Sequence, residues 1–252
     1  MLFNKIQVLY SPLEQFEAVP FLSFTNVEFS WIFTFSLLSI ASSLVVVSRY
    51  DSSFRIVPNN WQILLELMFS TIIFMVRENI GVSKGTKFIP LIFIGFISIL
   101  FTNLIGLIPY SSTVLSQLIV TSVFAVFFFL GINIIGFKKH GLSLFLLVHP
   151  AGITPFLAFL LIPMELISYL SKPISLSVRL FANIVGGHTL LKVIAGFSFI
   201  LMNSSGLFFV FHYFPLLILV PLFFLELAVA FIQAFVFSTL ICIYIYDGLY
   251  LH

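Results

Sequence analysis

Within the apolar stretches toward the C-terminus stand Glu165, Lys172, Arg179, His188, Lys192, Glu226 and Asp247, with Asn183 and Gln233 beside them. Ionisable groups held inside apolar stretches are costly in a membrane and mark a functional site by default. Arg179 is the most telling of them. A guanidinium at the centre of a bilayer costs about 3 to 10 kcal/mol or more unless it is paired or wetted, which favours function over accident. Other chemistries lack their residues. The chain has no phosphate-cradling glycine loop, no nucleophile elbow and no metal-ligand spacing, and Cys242 is its only cysteine. Gly186-Gly187 lies inside an apolar run, not in a nucleotide motif. His140, His149, His212 and His252 fall near span ends, where interfacial positions are the default, and Lys172 and Lys192 read as side chains snorkelling to an interface.

Two long helices must position these residues. Residues 152–201 would run about 75 Å and residues 215–246 about 48 Å at the rise of an α-helix. Both overshoot a hydrocarbon core of about 30 Å, so they tilt strongly, bend at Pro163 and Pro173, or leave the bilayer. The breaker run Asn203-Ser204-Ser205-Gly206 separates them. In an antiparallel hairpin, facing residues have a nearly constant sum of numbers. Glu165 with Asp247 and Arg179 with Gln233 both give 412, and His188 with Glu226 gives 414. Half of 412 is Gly206, inside the breaker run. Glu165, Lys172 and Arg179 are seven apart and drift by only about 20° per step along one face. Ser168, Ser175, Ala182, Asn183 and Gly186 share that stripe, where small residues equally serve ordinary helix packing. His188 lies about 180° away from Arg179.

Composition fixes the surroundings of this hairpin. Of 252 residues, 61% are hydrophobic and 8% charged, against roughly 45–50% and 25% in soluble domains. Mean hydropathy is +1.21. A soluble enzyme and a disordered chain are both excluded. A scattered net charge of +2 gives no basic patch for nucleic acid. The expected architecture is an all-α polytopic membrane protein forming one membrane domain over residues 1–252. It has an N-terminal segment (1–28), a first transmembrane helix (29–47), an interfacial amphipathic helix (59–80), a transmembrane hairpin (88–137) and a long, strongly tilted hairpin (152–250). About three of the helices are steep. Arg49, Arg55, Arg77, Lys84, Lys87, Lys138 and Lys139 then share one side. That bias would fail if 61–76 crossed the membrane, which is why this segment is read as interfacial. Trp31, Trp61, Tyr50, Tyr110 and Tyr250 read as aromatic belt anchors. Neither a secretory signal nor an Arg-rich presequence is visible, as expected for an organelle-encoded chain.

Ser175-Leu176-Ser177-Val178-Arg179-Leu180-Phe181-Ala182-Asn183, followed by Gly186-Gly187-His188, resembles the pattern of subunit a of the F-type ATP synthase membrane sector. Leu225 to Ala234, which includes Glu226 and Gln233, is similar to that family's last helix. Ser11-Pro12-Leu13-Glu14-Gln15-Phe16-Glu17 and Tyr250-Leu251-His252 resemble the two ends of its mitochondrial forms. The resemblance covers nearly the whole chain. It implies a non-catalytic proton-translocating stator subunit, multi-pass in the mitochondrial inner membrane, with no cofactor and no bound metal. Its implied partners are membrane lipids, other stator subunits and a ring of small hairpin subunits (the c-ring), each with one membrane-embedded carboxylate. Arg179 would face that carboxylate with help from Gln233, and Asn183 would lie near it. His188 and Glu226 would line one proton half-channel, and Glu165 and Asp247 the other. The competing expectation is a self-contained ion-coupled secondary transporter, which would show repeated halves with broken helices. No such repeat is seen.

Overall fold

The computed structural model describes residues 16, 20–24, 27–30, 36–44, 58–108, 113–141, 155–203 and 208–250. Near the N-terminus, strands β1 (Pro20–Phe24) and β2 (Val27–Ser30) pair antiparallel, with Ser23 opposite Glu28. The helix expected over 29–47 is corrected at its start, because Phe29 and Ser30 belong to β2. Val27 and Phe29 alternate with Glu28 and Ser30, the period of a strand rather than a helix. Helix α1 is described over 36–44 only. The breaker residues Ser204 to Gly206, the turn residues 109–112 and the segment 11–17 apart from Phe16 lie outside the described residues, as do Trp31, Tyr50, His149 and His252.

Helix α2 (Asn60–Asn79) occupies the segment read as interfacial. The Asn59 side chain accepts from the backbone N–H of Asn60 at 2.9 Å, and Gly81, at φ +95°, follows its last turn. Leu65, Ile72, Met75 and Val76 bury one face, while Glu66 stays exposed and accepts from Gln62 at 2.7 Å. A short helix α3 (Val82–Gly85) and a 3-10 turn lead into α4 (Ile89–Gly106). Pro90 sits in its first turn, where a missing N–H costs nothing. A 3-10 turn at Val114–Ser116 precedes α5 (Leu118–His140), which Gly141 ends with φ +57°. Helix α6 (Pro155–Met202), the short α7 (Phe208–Phe211) and α8 (Tyr213–Leu249) form the long C-terminal part. Helix α6 continues through Pro163 and Pro173, and α8 through Pro221. Neighbouring helices and local backbone adjustment allow such prolines in an apolar phase.

Four of these helices are long and apolar enough to cross a membrane: Thr86–Gly106, Leu118–His140, Phe159–Met202 and Tyr213–Leu249. Large apolar side chains cover their outer faces, among them Phe159, Ile119, Leu217 and Phe127, as lipid contact requires. Apart from the short β1–β2 hairpin, this is an all-α polytopic membrane protein. At 1.5 Å per residue the α6 stretch would extend about 66 Å, twice the hydrocarbon core, so it cannot stand upright within it.

Helix α8 is the axis of the packing, touching α2, α4, α5 and α6. Its Phe237, Ile241, Cys242 and Ile245 are fully enclosed with Ile92, Ile97 and Leu100 of α4 and Leu180 of α6. Phe237 meets Phe128 of α5 edge-on, with ring centroids 5.7 Å apart. Lys139 donates to the Leu249 carbonyl, and His140 Nε2 lies 3.1 Å from the same oxygen. The end of α5 thereby places its basic groups against the negative end of the α8 dipole. Replacing Phe237 by Ala leaves a void that these helices cannot close. The loss is about 2–4 kcal/mol of packing, toward the lower part of the range for core aromatics because lipid is already apolar. A clear fall in the thermal midpoint of the detergent-purified assembly is expected; an unchanged midpoint would contradict this account of the core.

Candidate functional site

The polar residues of α6 and α8 collect in two clefts instead of one row. The first lies where α6 and α8 meet α4 and the turn before α5, with about 400 Å³ of empty space that is partly open to solvent. His188 Nε2 stands 3.5 Å from Glu226 Oε1, within ion-pair reach but beyond a good hydrogen bond. Asn183 Nδ2 donates to Gln233 Oε1 at 2.6 Å. Asn103 Nδ2 of α4 donates to the Ala230 carbonyl at 3.3 Å, which ties the apolar hairpin to α8.

Four buried polar atoms in this cleft have no hydrogen-bond partner among the described residues: Asn103 Oδ1, Thr113 Oγ1, Glu226 Oε2 and Gln233 Nε2. An orphaned buried polar group costs about 1–3 kcal/mol. Four such groups around one partly open space therefore make it a place that water satisfies. Gly187 makes the fit possible. A Cβ there would lie 2.7 Å from Glu226 Oε1 and 3.3 Å from its Cγ, so a larger residue would push the carboxylate out of its present position against α6. Phe16 stands beside His188: its carbonyl accepts from Gln117 Nε2 at 2.6 Å, and its ring meets the imidazole edge-on at 6.4 Å.

The second cleft lies between α5, α6 and α8. Lys172 Nζ is 2.7 Å from Asp247 Oδ2, with both side chains about one-quarter to one-third exposed. Lys172 therefore does not snorkel free, as its sequence context suggested; Asp247 holds it between helices. Tyr169 donates to Asn133 Oδ1 in the same cleft, and the Lys172 ammonium lies 5.2 Å from the Tyr244 ring centroid. Glu165, outside the lining of this cleft, is half-buried, and among the described residues its Oε2 has no hydrogen-bond partner.

Of the residues expected to act, the structure brings together His188 with Glu226 and Asn183 with Gln233. Gln233 bonds Asn183 and not Arg179, and Asp247 pairs with Lys172 and not Glu165. Arg179 is half-buried between the two clefts, about 10 Å along α6 from Lys172 and about 6 Å from Asn183 by helical rise. Among the described residues it has no ion-pair or hydrogen-bond partner. Asn103, Thr113 and Asn133 join the clefts from outside the long hairpin, and Tyr169 joins through its bond to Asn133 of α5. Their signal was the amide itself: Asn103 and Asn133 each interrupt an otherwise apolar helix.

Fold and site together define a polytopic helical membrane protein whose longest helix pair carries two separate polar clefts and one unpaired arginine. The sequence pattern of the family described as ATP synthase A chain matches residues 29–246. The chain is 42% identical over 249 residues to ATP synthase subunit a of Chondrus crispus, covering 97% of this chain and 98% of that one. It is 45% identical over 247 residues to ATP synthase subunit a of Pylaiella littoralis, covering 96% and 99%. For ATP synthase subunit a of Marchantia polymorpha the identity is 39% over 253 residues, covering 96% and 99%. The chain belongs to the ATP synthase A chain family, a membrane-sector subunit of the F-type ATP synthase complex.

Gly187→Ala tests the first cleft. The added methyl must displace the Glu226 carboxyl, and coupled ATP synthesis by the assembled complex is expected to fall about tenfold, equivalent to roughly 1.4 kcal/mol. Normal synthesis rates in reconstituted vesicles would mean that Glu226 can move without consequence.

Proposed function

We propose that this subunit conducts protons through two offset half-channels to a rotor ring and is itself non-catalytic. The reading is supported above all by the separation of the two clefts. Between Gln233 and Asp247, about 21 Å along α8 by helical rise, the buried positions are Ala234, Phe237, Ser238, Ile241, Cys242, Ile245. That is an almost wholly apolar plug, which a proton does not cross. From Glu226 to Asp247 the rise is about 32 Å along α8, so the two clefts stand at different depths even on a tilted helix. Each cleft suits access from one side only. His188, Glu226, Asn183 and Gln233 belong to the half-channel from the intermembrane space, and Glu165 and Asp247 to the exit on the matrix side. Lys84, Lys138 and Lys139 at that end agree with the basic side.

The proton must therefore leave this chain to pass from one cleft to the other. Ser168, Ser175, Ala182 and Gly186 form an exposed stripe on α6, and a Cβ added at Gly186 would meet nothing within 4 Å. Small side chains let a partner helix approach closely. The partner is a ring of small hairpin subunits, each with one carboxylate, turning past Arg179 in the mitochondrial inner membrane. Lipid keeps such a carboxylate protonated, whereas a cation about 4 Å away at an effective dielectric near 20 supplies about 4 kcal/mol toward ionising it. Guanidinium holds its own proton in any protein setting, so Arg179 separates the channels without carrying protons between them. With 100 mV worth about 2.3 kcal/mol per charge, several protons drive each ATP made.

Arg179→Ala is expected to abolish coupled ATP synthesis while passive proton conductance of the vesicles persists or rises. Arg179→Lys restores little, because a desolvated ammonium can release its proton. Near-normal synthesis with Ala at 179 would overturn the separator role. Glu226→Gln in assembled complexes is expected to slow both ATP synthesis and ATP-driven pumping at least tenfold. Unchanged turnover in both directions would remove Glu226 from the path.

A further inference from the structure

Two carboxylates of the long hairpin differ in their pairing: Asp247 lines the second cleft, and Glu165 stands about two turns of α6 before Lys172. Asp247 is in a direct ion pair, its Oδ2 2.7 Å from Lys172 Nζ, and the ammonium is further enclosed by the rings of Tyr169 and Tyr244, at 5.7 Å and 5.2 Å from their centroids. Glu165 has a buried Oε2 without a hydrogen-bond partner, and among the described residues it forms no ion pair. By helical rise, Lys172 stands about 10 Å along α6 from Arg179 and Glu165 about 21 Å, so the ion pair lies at the throat and Glu165 further out.

A direct ion pair stabilises the anion, and neutralising Asp247 would strand an ammonium in a narrow, partly dry passage. A carboxylate bound in this way is poorly suited to pick up and release a proton at each passage, whereas an unpaired one is free to do so. We propose that Asp247 is the fixed counter-ion of Lys172, and that Glu165 alone changes protonation as protons leave through this cleft. Lys172 is then a positioning residue, acting through Asp247. A proton arriving through water converts the Glu165 carboxylate to the acid, which returns it to the aqueous side. Asp247 keeps the passage electrically neutral without taking part in the transfer. This inference rests on the half-channel reading given above and assigns unequal roles within its exit.

Asp247→Asn, Lys172→Gln, Lys172→Arg and the double variant K172Q/D247N separate these roles, with Arg179→Ala alongside. The readout is ATP synthesis per assembled complex in vesicles. Asp247→Asn leaves a bare ammonium in the proton's way and is expected to lose tenfold or more. The double variant, again neutral at the throat, recovers at least fivefold over Asp247→Asn, and Lys172→Arg stays within about twofold of the parent. A carboxylate that itself carried the proton could not be compensated by removing a lysine. A double variant no better than Asp247→Asn, or an Asp247→Asn variant without loss, overturns the counter-ion role. If Arg179→Ala keeps coupled synthesis, the half-channel reading fails and this inference falls with it; if Arg179→Ala is inactive, the outcome of the double variant decides the inference alone.

Discussion

Polar groups inside a hydrocarbon phase must find partners within the protein or open onto water, and this constraint organises the molecule. Helices satisfy their own backbones, which is why the membrane body is helical throughout. Side chains have no such internal solution. Those of α6 and α8 are consequently drawn into shared clefts with Asn103 of α4 and Asn133 of α5, while the outward positions carry Phe, Leu and Ile. Thr121 and Ser177 meet at 3.4 Å between α5 and α6 for the same reason.

Arg179 is the exception that gives the arrangement its meaning. The charged groups that line the two clefts are paired, Glu226 with His188 and Asp247 with Lys172. Arg179 has none among the described residues and stands beside an uncovered stripe of small residues. An unpaired guanidinium in an apolar setting is costly, and family membership supplies the context in which that cost is offset, an assembly with further subunits. The same logic explains why α6 is the least enclosed of the four long helices: it is the one with a face still to be covered.

The clefts also differ in character. The first is lined by amides, hydroxyls and a loosely paired imidazole and carboxylate, with several groups left for water. The second is tighter and aromatic, with a lysine held against Tyr169 and Tyr244. Glycine contributes at one decisive place. Gly187 leaves room for the Glu226 carboxyl against α6, where an added Cβ would displace it, a role quite different from that of Gly186, which faces open space one residue earlier.

Much of this was legible in the residues alone. Apolar runs broken by charge determine that the chain enters a membrane, since neither composition nor hydropathy leaves another solvent for it. The near-constant sums determined that α6 and α8 face each other, and the pair His188 and Glu226 sits as that register requires. Family membership was legible too, because the Arg179 stretch is a specific run of residue types. Tertiary structure decided the partners. A fixed sum assumes parallel axes and equal side chains, whereas packed helices cross at an angle and long side chains reach past their own level. Gln233 therefore finds Asn183, and Asp247 finds Lys172, each slipped from the expected match. The contributions of Asn103, Thr113 and Tyr169 depend on contacts between helices far apart in sequence, which no periodicity within one helix encodes. The division of the polar residues into two clefts, with an apolar plug between them, likewise exists only once α4 and α5 close around α8.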